Sequence, residues 1–293
     1  MAGSKTDARR FAAAAEPLHS CTYYAPEINE FTAFGYKGWW HAYFAYRSAP
    51  LGNAPADLVT RVFYNFAPRM VERSVPGCWD IMPAAKVRSL QLSILDRALN
   101  RIFEEYSWGP ELTEAVKLLG AALPELSCDE RPLFEAWVSE PWPEPPLLGL
   151  WHATTLLREY RFDGHNAALR EAGISGLGSH LLMVADGRGT PEVIQKIRGW
   201  TPDEWKAELI HLSDIGWLDQ QGLHTATGRA ERKEIEVQTD RYSNPIAEKL
   251  GGDATHLVLG VLERVSQFLL KHGVVPGKWP PRHLGRIDPS LEE

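Results

Sequence analysis

Leu147 to Tyr160 constrains the fold more than any other stretch. It reads Leu-Leu-Gly-Leu-Trp-His-Ala-Thr-Thr-Leu-Leu-Arg-Glu-Tyr and follows a proline-rich run, Glu140-Pro-Trp-Pro-Glu-Pro-Pro146, that serves as a stiff connector. A helix that is apolar on most sides has no solvent face to present, so other elements must surround it. The chain has the length to supply them. Its 293 residues, 44% hydrophobic and 24% charged, fit one large or two modest globular domains. That composition excludes a disordered, collagen-like or coiled-coil chain.

The elements before it read as helices. Glu30 to Arg47 carries aromatic rings at helical spacing (Phe31, Phe34, Tyr36, Trp39, Trp40, Tyr43, Phe44) and is closed by Pro50 and Gly52. A second helix runs from near Pro55 to Pro68, and a third from Pro83 to Tyr106 with Val87, Leu90, Ile94, Ala98 and Ile102 on one side. After the apolar helix, Asp163 to Glu171 reads as a separate short helix ended by Gly173, and another begins at Ser175.

The punctuation then changes. Thr190-Pro191 opens a helix that stops near Gly199, and Thr201-Pro-Asp-Glu204 is a capping box with proline at the first helical position. Past Gly216, Trp217-Leu-Asp219 and Leu223-His-Thr225 flank Gln220-Gln-Gly222, which predicts a short two-stranded hairpin; a helix from Thr227 follows. Two helices, a hairpin and a further helix are the order of a winged helix-turn-helix. The expected fold is therefore mainly α: a helical N-terminal domain followed by a winged helix-turn-helix with a small β wing. The boundaries are a flexible N-terminus (1–20), a helical domain (21–146), a buried polar helix and connector (147–185), the winged-helix module with its C-terminal helix (186–273) and an extended or mobile tail (274–293). The helix from Thr255 to His272 has a broad apolar face with two fates, internal packing, the commoner one, or a homodimer interface.

Several classes are set aside. Cys21, Cys78 and Cys128 lie far apart without a CxxC, which fits a reduced, cytoplasmic protein. No window of 18 apolar residues is present, so no membrane partner is expected. His152, Glu159 and His165 match no ligand spacing, so no metal is expected. No GxSxG, phosphate-binding loop or dinucleotide fingerprint appears, which leaves catalytic residues and cofactor unassigned.

Two resemblances carry weight. Arg198-Gly-Trp-Thr-Pro-Asp-Glu-Trp205, Gly216-Trp-Leu218 and Gly222-Leu-His-Thr-Ala-Thr-Gly228 resemble the winged helix of MarR-type regulators. Tyr43-Phe-Ala45, Arg47-Ser-Ala-Pro-Leu-Gly52, Phe63-Tyr-Asn-Phe-Ala-Pro68, Trp151 to His165, and Ile235-Glu236 with Thr239-Asp240 resemble an actinobacterial helix-turn-helix family described as SalK-like. The second resemblance implies a helical first part joined to a winged helix, and brings no established reaction.

Charge argues against a simple DNA reader. The net charge is −7, and Thr190 to Leu250 holds eight basic and eleven acidic residues. The helix opened by Pro202 carries Asp203, Glu204, Glu208 and Asp214 against Lys206, and carboxylates there repel phosphates. DNA stays open as a partner, with Lys206, Arg229, Arg232 and Lys233 as the candidate contacts.

The stronger site signal is polar density on the buried helix. Charges in an apolar interior must pair or line a cavity. His152, Thr155 and Glu159 share one helical face, Arg158 lies beside it, and Arg161, Asp163 and His165 follow. The first aromatic helix adds Trp40, Tyr43 and Arg47, with Asn65 in the turn before Pro68. These eleven residues are the candidate ligand site for a flat, aromatic or acidic small molecule. Each has a plainer reading: Asp163 as a helix cap, Arg158 with Glu159 as a structural pair, His152 as a satisfied core histidine. The favoured function is a small-molecule-binding, MarR-like protein that acts as a ligand-responsive transcriptional regulator. The alternative is an enzyme of specialised metabolism that uses the helical pocket around Arg158 and His165, its winged helix serving only packing or dimerisation.

Overall fold

A computed structural model describes residues 6–277. Helix α1 (Asp7–Ser20) is followed by α2 (Glu30–Ala33), α3 (Gly38–Ser48), α4 (Ala56–Val62), α5 (Pro68–Glu72), α6 (Cys78–Ile81) and α7 (Ala84–Ile102). Then come α8 (Glu111–Ala122), α9 (Pro132–Val138) and the long α10 (Pro146–Glu171). The last group is α11 (Gly176–Ala185), α12 (Pro191–Arg198), α13 (Pro202–Asp214), α14 (Ala226–Ser243), α15 (Pro245–Leu250) and α16 (Gly252–Lys271).

Helix α10 is the axis. It packs against α1, α7, α8, α9 and α14, and Leu148 to Leu157 are buried on every side. It does not break at Asp163, where a second helix was expected to start. The Asp163 carboxylate accepts the backbone N–H groups of Leu133 and Phe134, both at 2.9 Å. It thus caps the start of α9 from across the fold and leaves its own backbone free to stay helical. Gly164 is no turn either. A Cβ there would lie 3.0 Å from Cβ of Tyr242, so its role is close approach to α14.

The start of the chain also departs from expectation. Instead of a flexible segment, α1 lies between α10 and α16. Thr6 caps it, Phe11, Ala14, Ala15 and Leu18 are buried, and Arg9 and Arg10 bond to Asp240 and Glu263 at 2.6 and 3.0 Å. The alanine run looks featureless in sequence, but small side chains let two helices close on it. The apolar face of α16 is spent inside the chain, against α1, α8 and α15. Of the expected tail, 274–293, all beyond Gly277 lies outside the described residues.

Helices α12 and α13 lie where the helix-turn-helix was expected, and α11, which precedes the expected boundary at 186, packs on both. Thr190 caps α12, Gly199 ends it in the left-handed conformation at φ 78°, and Thr201 with Glu204 makes the expected capping box. The β wing is not formed: the described residues contain no strand. Trp217 to Thr225 is a tight loop with a single bridge between Leu218 and His224. Asp219 explains this. Its side chain accepts the amides of Gln221 and Leu223, each at 2.9 Å, which winds the segment into a turn instead of extending a ladder. The loop docks on α14, where a Cβ on Gly228 would fall 1.8 Å from the Trp217 carbonyl oxygen.

Two hydrophobic cores result. One is built from α1, α7, α8, α9, α10 and α16 and includes Phe11, Leu119, Trp151 and Leu262. The other joins the aromatic rings of α3 and its neighbours to the helix-turn-helix, with Trp40, Phe44 and Phe66 in one cluster with Leu181, Ile194, Trp205 and Leu212.

Candidate functional site

A cavity of about 260 Å³ opens where α1, α3 and α10 meet α11, α12 and α14. Its aromatic wall comes from α3. Trp39 and Tyr43 stack with centroids 5.0 Å apart, and Trp40 sits edge-on to both at 4.6 and 5.4 Å. These are favourable ring geometries that hold the wall rigid. Trp40 is 8% exposed, and its indole N–H is buried without an acceptor.

Behind this wall lies a buried ion cluster. Glu159, fully enclosed, accepts a forked pair of bonds from Arg47 at 3.2 and 3.1 Å and two from Arg158 at 2.9 and 2.8 Å. Arg47 also donates to the Tyr43 hydroxyl at 3.0 Å. Burial alone would raise the Glu159 pKa, but Arg158 and Arg47 outweigh it and hold the carboxyl at about 2. At neutral pH the three side chains carry one net positive charge facing the cavity.

Three histidines on the cavity wall have fixed roles. Thr155 donates its hydroxyl to the Trp151 carbonyl, so it accepts from Nδ1 of His19 at 3.0 Å; Nε2 of His19 is left to accept from the Tyr23 hydroxyl at 3.3 Å. Thr239 likewise donates to the Ile235 carbonyl and accepts from Nδ1 of His165 at 2.9 Å. His180 donates from Nε2 to the Asn65 carbonyl at 3.1 Å. Burial lowers the pKa of His19 and of His180 to about 3, and lowers that of His165 as well, so all three are neutral.

The sequence-based candidates divide into groups. Trp40, Tyr43, Asn65, Arg158 and His165 line the cavity. Arg47, Thr155 and Glu159 stand directly behind and hold liners in place. Arg161 pairs with Asp240 at 2.9 Å and Glu236 at 3.4 Å, on the wall of an adjoining cavity. Asp163 caps α9, and burial raises its pKa to about 7 against the two amides that lower it. His152 is elsewhere, ring to ring with Trp142 at 5.1 Å on the far side of α10, its Nδ1 buried without a partner. Among the DNA candidates, Lys206, Arg229 and Lys233 are exposed. Arg232 pairs with Asp186 at 3.4 Å and Glu236 at 2.7 Å and lines the cavity instead.

Sequence reasoning missed His19, Tyr23, His180, Arg188 and Arg198. Arg198 ends α12 and lies over Phe66 at 4.3 Å; burial lowers its pKa to about 10, which leaves it charged. One signal was legible, a helix-terminal Arg before a glycine cap, but nothing in local spacing says that such a residue turns inward. His19 was hidden because α1 was read as flexible.

The fold and site together define a helix-turn-helix protein in which α11 to α13 share a core with an aromatic-walled cavity lined by several arginines. A family model described as a helix-turn-helix family matches residues 8–276, and the chain belongs to that family. Neither the curated proteins nor the solved structures gave a match. No helix among the described residues is long and apolar enough to cross a membrane, and none of their His, Cys, Asp and Glu side chains group in threes that could hold a metal ion.

Proposed function

We propose that the protein is a ligand-responsive transcriptional regulator of the cytoplasm, MarR-like in role, in which a small molecule in the cavity biases the placement of the helix-turn-helix on DNA. One observation carries this reading: the cavity walls come from both sides of the joint. Trp40, Tyr43 and Arg158 belong to the helical body, whereas His180, Met183 and Arg198 belong to α11 and α12. A ligand touching both sets has different contact energies for different placements of the two, which is what population shift requires.

The acidic start of α13 is partly neutralised, because Arg69 pairs with Glu204. Lys206, Arg229 and Lys233 remain as exposed cations for phosphates. DNA affinity is then modest and strongly salt-dependent. Fluorescence polarisation with duplexes flanking the protein's own coding sequence tests this. Lys206→Ala should weaken binding similarly for all duplexes and flatten the salt slope by about one. The reading fails if no duplex binds at low salt.

A second reading, an enzyme of specialised metabolism, rests on the pocket around Arg158 and His165, both of which line the cavity. Turnover of a bound molecule without any DNA affinity would select it.

A further inference from the structure

We propose that the cavity takes a planar aromatic molecule with an anionic group at one end, and that Arg188 is the residue that selects for the charge. This rests on the ligand-responsive reading above. The cavity adjoins a second one of about 340 Å³, and Glu16, Arg158, Phe162, His165, Arg188 and Arg232 line both. The two spaces differ in chemistry. The inner one has the rings of Trp39, Trp40 and Tyr43 and the buried Trp40 N–H, which suits a flat body with one acceptor on its edge. The outer one is lined by four guanidinium groups and the carboxylates of Glu16 and Glu236.

Most of those guanidiniums already have carboxylates. Arg158 has Glu159 at 2.8 Å and Glu16 at 3.6 Å. Arg161 has Asp240 and Glu236, and Arg232 has Asp186 and Glu236. Arg188 is exposed and has no ion pair among the described residues. It is therefore the charge available to a ligand, and a planar guanidinium suits carboxylate or phosphate alike. Its position links binding to the helix-turn-helix. Arg188 stands in the loop between α11 and α12, flanked by Gly187 and Gly189, both at φ 78°, and three residues ahead of the first residue of α12. An anion drawn onto Arg188 ties the entry of α12 to the body of the protein.

The test uses three probes on the full chain by isothermal titration calorimetry: 2-naphthoate, 2-naphthyl phosphate and the neutral 2-naphthalenemethanol. Both anions should bind at least tenfold more tightly than the alcohol. Arg188→Ala should remove most of that ratio while leaving the alcohol unchanged, and Trp40→Leu should weaken all three. A preference for one anion over the other identifies the natural headgroup. Equal binding of all three probes, an unchanged ratio in Arg188→Ala, or no binding of any probe overturns the proposal. If the anions bind as expected but leave DNA affinity unaltered, the regulatory reading fails and this assignment stands. If only neutral compounds bind and shift DNA affinity, the reverse holds.

Discussion

The two cores that meet along α10 are built from different materials. The core formed by α1, α8 and α16 is mostly aliphatic and closed, with Leu119, Val258, Leu259 and Leu262 at no measurable exposure. The core shared by α3 and the helix-turn-helix is aromatic, and beside it lie the Arg47–Glu159–Arg158 cluster and the cavity. A closed aliphatic core stabilises through area removed from water. A buried charge cluster adds little net stability and fixes geometry instead, provided each charge keeps its partner. The contrast assigns tasks: the first core holds the chain together, and the second keeps a charged space open. Because the helix-turn-helix belongs to the second core, it has no hydrophobic interior of its own to insulate it from what fills the cavity.

The most direct attempt to break this comparison removes one charge. Glu159→Ala should cost about 3–5 kcal/mol, because Arg47 is left buried without its partner. The double change Arg47→Met with Glu159→Leu should recover much of that, since Arg158 keeps Glu16. In the aliphatic core, Leu262→Ala should cost a similar amount, about 2–5 kcal/mol, through the cavity it creates, with no polar rescue available. Urea denaturation measures all three. A loss below about 1 kcal/mol for Glu159→Ala would mean that the cluster is not a unit.

Acid should act next, and across both cores. His19, His152 and His180 are held at about 3 by burial, against an ordinary value of 6.5. As pH falls through 6.5 the unfolded chain takes up protons that the folded chain refuses, so stability falls. The slope is at most about 1.4 kcal/mol per pH unit for each histidine. Glu159, lowered to about 2 from 4.5, contributes in the other range: its share is intact above 4.5 and is lost as pH drops toward 2. Thermal unfolding between pH 7 and 5 should therefore report these histidines together with His41 and His165, which burial also lowers, offset by Asp163, whose carboxyl is raised to about 7 and gains stability as pH falls. His152→Leu should make the slope shallower by one histidine's share, at most about 1.4 kcal/mol per pH unit. An unchanged slope would show that His152 is protonated or exposed in the folded state.

The smallest expected effect sharpens the boundary of the helix-turn-helix. A Cβ on Gly228 meets the Trp217 carbonyl, so Gly228→Ala should cost about 1–3 kcal/mol by pushing the Trp217–Thr225 loop off α14. Hydrogen exchange would show the loosening confined to that loop and α13. Spread over α1 and α16, it would mean that the two cores are not separable.

What was legible followed from local chemistry. The apolar Leu147–Tyr160 segment did become a surrounded helix, and the Thr201–Glu204 capping box formed as written. The pairing of Arg158 with Glu159 could be read because the two are adjacent in sequence. The second partner, Arg47, is 112 residues away, and no periodicity records that distance. The expected β wing failed for an equally local reason that the pattern concealed: the Asp219 side chain competes for the amides a hairpin needs. Asp163 was read as a cap and is one, but for α9, 30 residues earlier in the chain.

The sequence by itself determined the helices, their ends and the need to bury α10, because capping, periodicity and apolar surface act over a few residues. Tertiary structure alone decided which charges meet, that α1 is part of the core, and that Arg188 and Arg198 face one cavity with Trp40. Those outcomes depend on how helices cross, and crossing is set by the packing of whole faces rather than by any short run of residues.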